Sequence, residues 1–247
     1  MTKKEPFTDL GGPQLSFSAT PWTTVLKAAG NETEARAAWE KLATLYWKPV
    51  YAFLRLRWGK SNDDAKVLTQ DFFLHLMKGE RLRRVDPEMG KFRTFLLSIL
   101  ENVVKNEARD RGRIKRGGLN AVIPLINDDA IEVDKRLGGG VKRTPEDVFE
   151  LEWARAVLGA AHDILRTKYS AEGKEPYLRV YDLWANSDPQ FTYQDIAKEL
   201  GLSENQVRNY LFSVKKELQE IIRSLVAQTC TSNEEVEQEL KWLLQKR

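Results

Sequence analysis

Residues 191–222, FTYQDIAKELGLSENQVRNYLFSVKKELQEII, leave the backbone few ways to fold. Thr192 and Asp195 have the spacing of a helix-opening capping box, Ile196 and Leu200 share one face, and Gly201 is the residue best able to end the helix in a left-handed conformation. A second box follows at Ser203 and Gln206, with Leu202 and Val207 placed as a hydrophobic staple. The helix it opens carries Val207, Leu211, Val214, Leu218, Ile221 and Leu225 on one stripe, which turns Asn205, Arg208, Asn209, Phe212, Ser213 and Lys216 to the opposite side. The spacing predicts a helix-turn-helix with an uncovered outer face. An arginine fork matches guanine O6 and N7, asparagine matches adenine N6 and N7, and an aromatic ring suits a thymine methyl. Two short helices joined at a glycine also occur in bundles that bind nothing. Residues 191–223 hold five Lys/Arg against five Asp/Glu, so any attraction for phosphate is local.

A second amphipathic helix is legible in residues 92–116, FRTFLLSILENVVKNEARDRGRIKR. Phe92, Phe95, Leu96, Ile99 and Val103 form its apolar face, while Ser98, Asn102, Lys105, Asn106 and Arg109 recur along the other side. From Lys105 the next twelve residues carry six Lys/Arg and two acids, a density that favours a phosphate backbone or, more blandly, complements the helix dipole. Upstream, Ser61 and Asp64 form a capping box for a helix that points Ala65, Leu68, Phe72 and Leu76 inward. Asp63, Asp64, Gln70 and Asp71 remain on its partly acidic face, which suits a protein partner or plain solvent.

In this order the motifs resemble the extracytoplasmic-function sigma factors of bacterial RNA polymerase, within the sigma-70 superfamily, from about residue 22 to residue 244. Residues 46–77 look like regions 2.1 and 2.2, with a Leu-x-Gln-acid-x-Phe run at Leu68, Gln70, Asp71 and Phe73. Residues 86–113 look like regions 2.3 and 2.4, and residues 153–225 like region 4. The resemblance implies that Gln70 and Asp71, with Asp63 and Asp64, dock on the beta-prime clamp of the polymerase core, the beta flap being the other core partner. It assigns minus-10 promoter DNA to Asp86, Lys91, Arg93, Asn102, Lys105, Asn106 and Arg109, residues 86–91 forming a pocket for an extruded base. The minus-35 element falls on Ser203, Asn205, Arg208, Asn209, Phe212, Ser213 and Lys216. Lys66 and Val67 stand where the family usually has an acidic pair, so the clamp contact is expected to be weaker or differently arranged, with Asp63 or Asp64 as the substitute. An anti-sigma or other regulatory protein is a further partner that the resemblance admits.

The organisation expected is all-α: a lead at 1–21, a region 2 bundle at 22–116, a flexible linker at 117–144, a region 4 domain at 145–225 and a C-terminal helical extension at 226–247. Helices are expected at about 22–29, 33–58, 62–78 and 90–111, with Pro49 kinking or dividing the second. The segment 117–144 is rich in glycine and reads as a linker with local contacts. Pro145 then opens a helix to about Lys168, with Val148, Phe149, Trp153, Ala156, Val157, Ala160 and Ile164 on its buried side. Ser232 and Glu235 cap a last helix whose Val236, Leu240, Leu243 and Leu244 need cover from region 4, a regulatory partner or a self-contact.

Composition is that of a globular protein with 42% hydrophobic and 30% charged residues, and its net charge of +3 permits nucleic acid as a partner without requiring it. One cysteine, Cys230, excludes an internal disulfide, and two separated histidines, His75 and His162, speak against a metal centre. No cofactor is expected, nor membrane insertion, and the expected location is the cytoplasm. Without a phosphate-cradling glycine loop or a nucleophile–base pair, an enzyme is the least supported class. A stand-alone dimeric helix-turn-helix regulator is the alternative. It would use the C-terminal helix to dimerise and would leave residues 61–116 without a purpose.

Overall fold

The computed structural model describes residues 32–78, 91–110, 127–137, 143–186, 191–230 and 232–245. Among them the fold is all-α, with no strand: α1 (Glu32–Trp58), α2 (Asn62–Lys78), α3 (Phe92–Asp110), α4 (Asn127–Leu137), α5 (Pro145–Ala171), α6 (Glu175–Asn186), α7 (Tyr193–Leu200), α8 (Glu204–Ala227) and α9 (Asn233–Gln245). The expected helix at 22–29 lies outside the described residues. Pro49 does not divide α1, which runs on as one element to Trp58.

Two apolar cores organise these helices. The first is built on α1, where Leu42, Tyr46, Val50, Tyr51, Phe53 and Leu54 are almost fully enclosed, and it takes in the inner faces of α2 and α3. The second lies among α6, α7 and α8, around Leu178, Ile196, Val207, Leu211 and Val214. Helix α5 belongs to both. Its 27 residues open on a full capping box between Thr144 and Asp147 with Pro145 at the first helical position. Val148, Phe149, Trp153, Ala154 and Val157 then enter the first core, and Ala161, Leu165 and Tyr169 enter the second. Ile164, expected inside, is 44% exposed because the buried stripe passes through Ala161 and Leu165 on its way to the second core.

The segment expected as a linker contains α4, and this helix has a definite seat. Ala130 and Val133 are buried in the first core. Asp134 accepts from Arg55 Nε at 2.8 Å, from Asn62 Nδ2 at 3.1 Å and from the Tyr51 hydroxyl at 3.1 Å. Burial alone would favour the neutral acid, but the Arg55 and Asn62 hydrogen bonds outweigh it and hold the Asp134 carboxyl below its usual range. The rest of 117–144, apart from Arg143 and Thr144, lies outside the described residues. Helix α6 was not foreseen at all, although Leu178 and Tyr181 have helical spacing.

At the C-terminus, α9 turns back on the chain. Val236 and Leu243 are buried in the first core with Val226 and Cys230 at the end of α8, while Leu244 is 68% exposed. The stripe that needed cover is therefore covered mainly by the first core and the last turn of α8.

Candidate nucleic-acid interface

Helices α7 and α8, joined by a tight turn, form where the capping boxes place them. Asp195 Oδ2 accepts from the Thr192 backbone N–H at 2.9 Å, and the Thr192 hydroxyl accepts from the Asp195 N–H at 3.3 Å. Hydrogen bonds from Thr192 lower the Asp195 pKa, so the cap stays ionised. Gly201 ends α7 at φ +66°, a left-handed value that other residues adopt at a cost, and the Leu202 N–H donates back to the Ala197 carbonyl at 2.9 Å. Ser203 and Gln206 repeat the reciprocal pattern at the start of α8, at 2.9 and 3.2 Å.

Burial of Val207, Leu211, Val214, Leu218 and Ile221 fixes which side of α8 faces out. Asn205, Arg208, Asn209, Phe212 and Lys216 are exposed on that outer side, and Phe212, at 71%, is the largest apolar surface there. Ser213 is half-buried, and its hydroxyl donates to the Asn209 carbonyl at 3.0 Å. Two residues the sequence reading passed over steady Arg208. Its Nη2 lies 2.6 Å from Glu204 Oε1, and its Cζ stands 5.0 Å from the centroid of the Tyr193 ring. A Glu four residues before an Arg was the available signal for the first contact.

Helix α3 presents its two sides as follows. Phe92, Leu96, Ile99 and Leu100 are buried, and Asn102 is exposed on the far side. At about 100° per residue, Lys105, Asn106 and Arg109 come up on the same side as Asn102; their side chains lie outside the described residues, as does Asp86.

Arg93 departs from its expected place. Nine residues before Asn102, it falls half a turn away from that face, and it is 5% exposed. Its guanidinium sits 3.9 Å from the Trp153 ring centroid and reaches Glu150 Oε2 on α5 at 2.8 Å and Glu239 Oε2 on α9 at 2.5 Å. Lys91 meets the other oxygen of Glu239, Nζ to Oε1 2.6 Å. Burial works against the Arg93 charge, yet Glu150 and Glu239 more than offset it and raise its pKa. In this conformation Arg93 binds the chain's own carboxylates.

On α2 the Asp64 N–H donates to the Ser61 hydroxyl at 3.1 Å, and Ala65, Leu68, Phe72 and Leu76 pack inward. Asp63, Asp64 and Asp71 are exposed and Gln70 is half-buried. Val67, 55% exposed, lies among them, so this face has an apolar centre inside an acidic margin.

Residues 42–114 match the family model of sigma-70 region 2, a stretch that takes in most of α1 and all of α2 and α3. No curated protein and no solved structure matches the chain significantly. Among the described residues, no helix is long and apolar enough to cross a membrane.

Proposed function

The chain carries a sigma-70 region 2 and through it is a member of the sigma-70 superfamily, and from this premise we propose that it is a sigma factor of the extracytoplasmic-function type, reading two promoter elements for RNA polymerase. The observation that carries this reading is the pairing, in one chain, of the region 2 match at 42–114 with two capped helices joined at Gly201, the second of which has an exposed polar face. In this account the α2 face of Asp63, Asp64, Val67, Gln70 and Asp71 docks on the beta-prime clamp, with the second core reaching the beta flap. Asn102, Lys105, Asn106 and Arg109 of α3 meet the minus-10 element, and the outer face of α8 from Ser203 to Lys216 meets the minus-35 element. The protein works where the polymerase is, in the cytoplasm.

Energetics suit this division of labour. Polymerase supplies most of the affinity, and once one element is bound the second binds as an intramolecular event. A charge-balanced α7–α8 unit is then adequate, because its task is discrimination between base pairs. Capturing a base from an opened strand costs a few kcal/mol of unstacking, which only a well-shaped pocket offsets, so melting becomes sequence-selective.

Co-purification tests the proposal. Tagged protein is expected to retain core polymerase, and the polymerase so loaded is expected to bind promoter DNA that the free protein does not. Tight binding to a palindrome without polymerase would instead favour the dimeric regulator, for which α9 would have to leave its intramolecular seat.

A further inference from the structure

We propose that α9 is a detachable latch: an acidic amphipathic helix seated in a cationic, tryptophan-lined groove of α3 and α5, where it holds the two cores together until polymerase displaces it. The inference rests on the sigma-factor reading for its trigger, and on geometry for its parts.

Distance is the first consideration. Elements centred near positions minus-10 and minus-35 are about 25 base pairs apart, or about 85 Å along the duplex. The continuous elements shared by the two cores are α5, whose 27 residues make a rod of only about 40 Å, and α8, which lies in the second core and sends Val226 of its last turn into the first. With the first half of α5 packed on α1, the α3 and α8 faces belong to one closed body. Reading both elements at once requires the first core to part from the rest.

Among the described residues, α9 fastens the end of α8 to the first core. It is joined to α8 by a short connection and by the Arg223–Glu237 ion pair, yet its inner face is spent on the first core. Glu239 is 1% exposed and spans Lys91 and Arg93, and Trp242 lies 6.1 Å from Trp153, centroid to centroid, beside the same guanidinium. The groove thus has a cationic floor and an aromatic wall, and α9 supplies the matching carboxylate and ring. A buried ion pair adds little net stability but is highly particular about its partner, which suits a contact made to be exchanged. The outer face of α9 is free of the core, with Lys241 and Leu244 exposed.

Cys230 reports on this contact. It is 2% exposed, packed under α9, and burial followed by Glu235 and Glu239 pushes its thiol up to about 12. The experiment measures two things on full-length protein: the rate of association with core polymerase, and alkylation of Cys230 followed by mass spectrometry, free and in holoenzyme. Glu239→Gln is expected to speed association about fivefold or more, the lower end of coupling between linked sites, whereas Glu234→Gln on the exposed side of α9 should leave the rate unchanged. In the wild type, Cys230 is expected to be protected in the free protein and to react in holoenzyme, a comparison that needs no variant to fold. Normal association with Cys230 still protected in holoenzyme overturns the latch and leaves the sigma reading standing. No association of the wild type with core, together with faster Cys230 alkylation in Glu239→Gln, overturns the sigma reading and leaves the latch.

Discussion

Arg93 Nη1 and Glu239 Oε2 lie 2.5 Å apart although 146 residues of chain separate them. This pair ties the start of α3 to the C-terminal helix, inside a site flanked by the Trp153 and Trp242 rings. Removing one member leaves the other charge buried with fewer partners, so Arg93→Ala is expected to destabilise the fold by about 3–5 kcal/mol. Urea unfolding of the two proteins at neutral pH measures it. A loss below about 0.5 kcal/mol, the scale of ordinary surface substitutions, would mean that the pair is not enclosed in solution.

Acid should reveal the same contact. Burial favours a neutral Glu239, but hydrogen bonding and charge from Arg93, then Lys91, outweigh it and hold the carboxyl below its ordinary range. A carboxyl whose folded pKa is depressed contributes stability above the unfolded value, about 4.3, and loses it as pH falls through the lower folded value. The stability gap between wild type and Glu239→Gln should accordingly be widest near neutrality and close below about pH 4. A gap that stays constant from pH 7 to pH 3 would assign the effect to shape rather than charge.

The capping boxes at Thr192 and Ser203, the left-handed Gly201 and the inner stripe of α8 were legible because each is decided by residues three or four apart. The resemblance assigns Arg93 to promoter DNA, whereas its partners Glu150 and Glu239 are remote in sequence and no local pattern announces them. Helix α4 hid for a related reason. Eleven residues with few apolar positions are marginal alone, and Asp134 stabilises the helix only once Arg55, Tyr51 and Asn62 are in place. Ile164 was misplaced because one helix serves two cores, which a single amphipathic stripe does not express.

On α2, Gln70 and Asp71 project from the side opposite Leu68, Phe72 and Leu76. Replacing both with alanine is expected to weaken binding to core polymerase about tenfold, a change of about 1.4 kcal/mol, while the thermal midpoint stays put. Val67→Asp, which restores an acid at the apolar centre, should make that binding more salt-sensitive. Titration of labelled core at two salt concentrations reads both, and unchanged affinity in the double variant would remove α2 from the interface.

Arg208 stands on the outer face of α8 between Glu204 and Tyr193, and the proposed function assigns it the readout of one base pair. In holoenzyme, Arg208→Ala should cost about 1–3 kcal/mol on the preferred minus-35 sequence and relax discrimination at one position. Lys216→Ala should lower binding evenly across sequences and flatten its salt dependence. Equal weakening of every minus-35 variant by Arg208→Ala would make that residue a phosphate anchor and move readout to Asn205 and Asn209.

The measurement closest to the central claim is promoter opening by core polymerase reconstituted with the full-length protein, followed as permanganate reactivity of thymines across the minus-10 region and as transcript yield. Opening and promoter-specific transcript are expected only when the protein is present, and Asn102→Ala should reduce them on duplex templates more than on templates already unpaired there. Absence of opening on any promoter, with core polymerase neither retained nor redirected, would contradict the account.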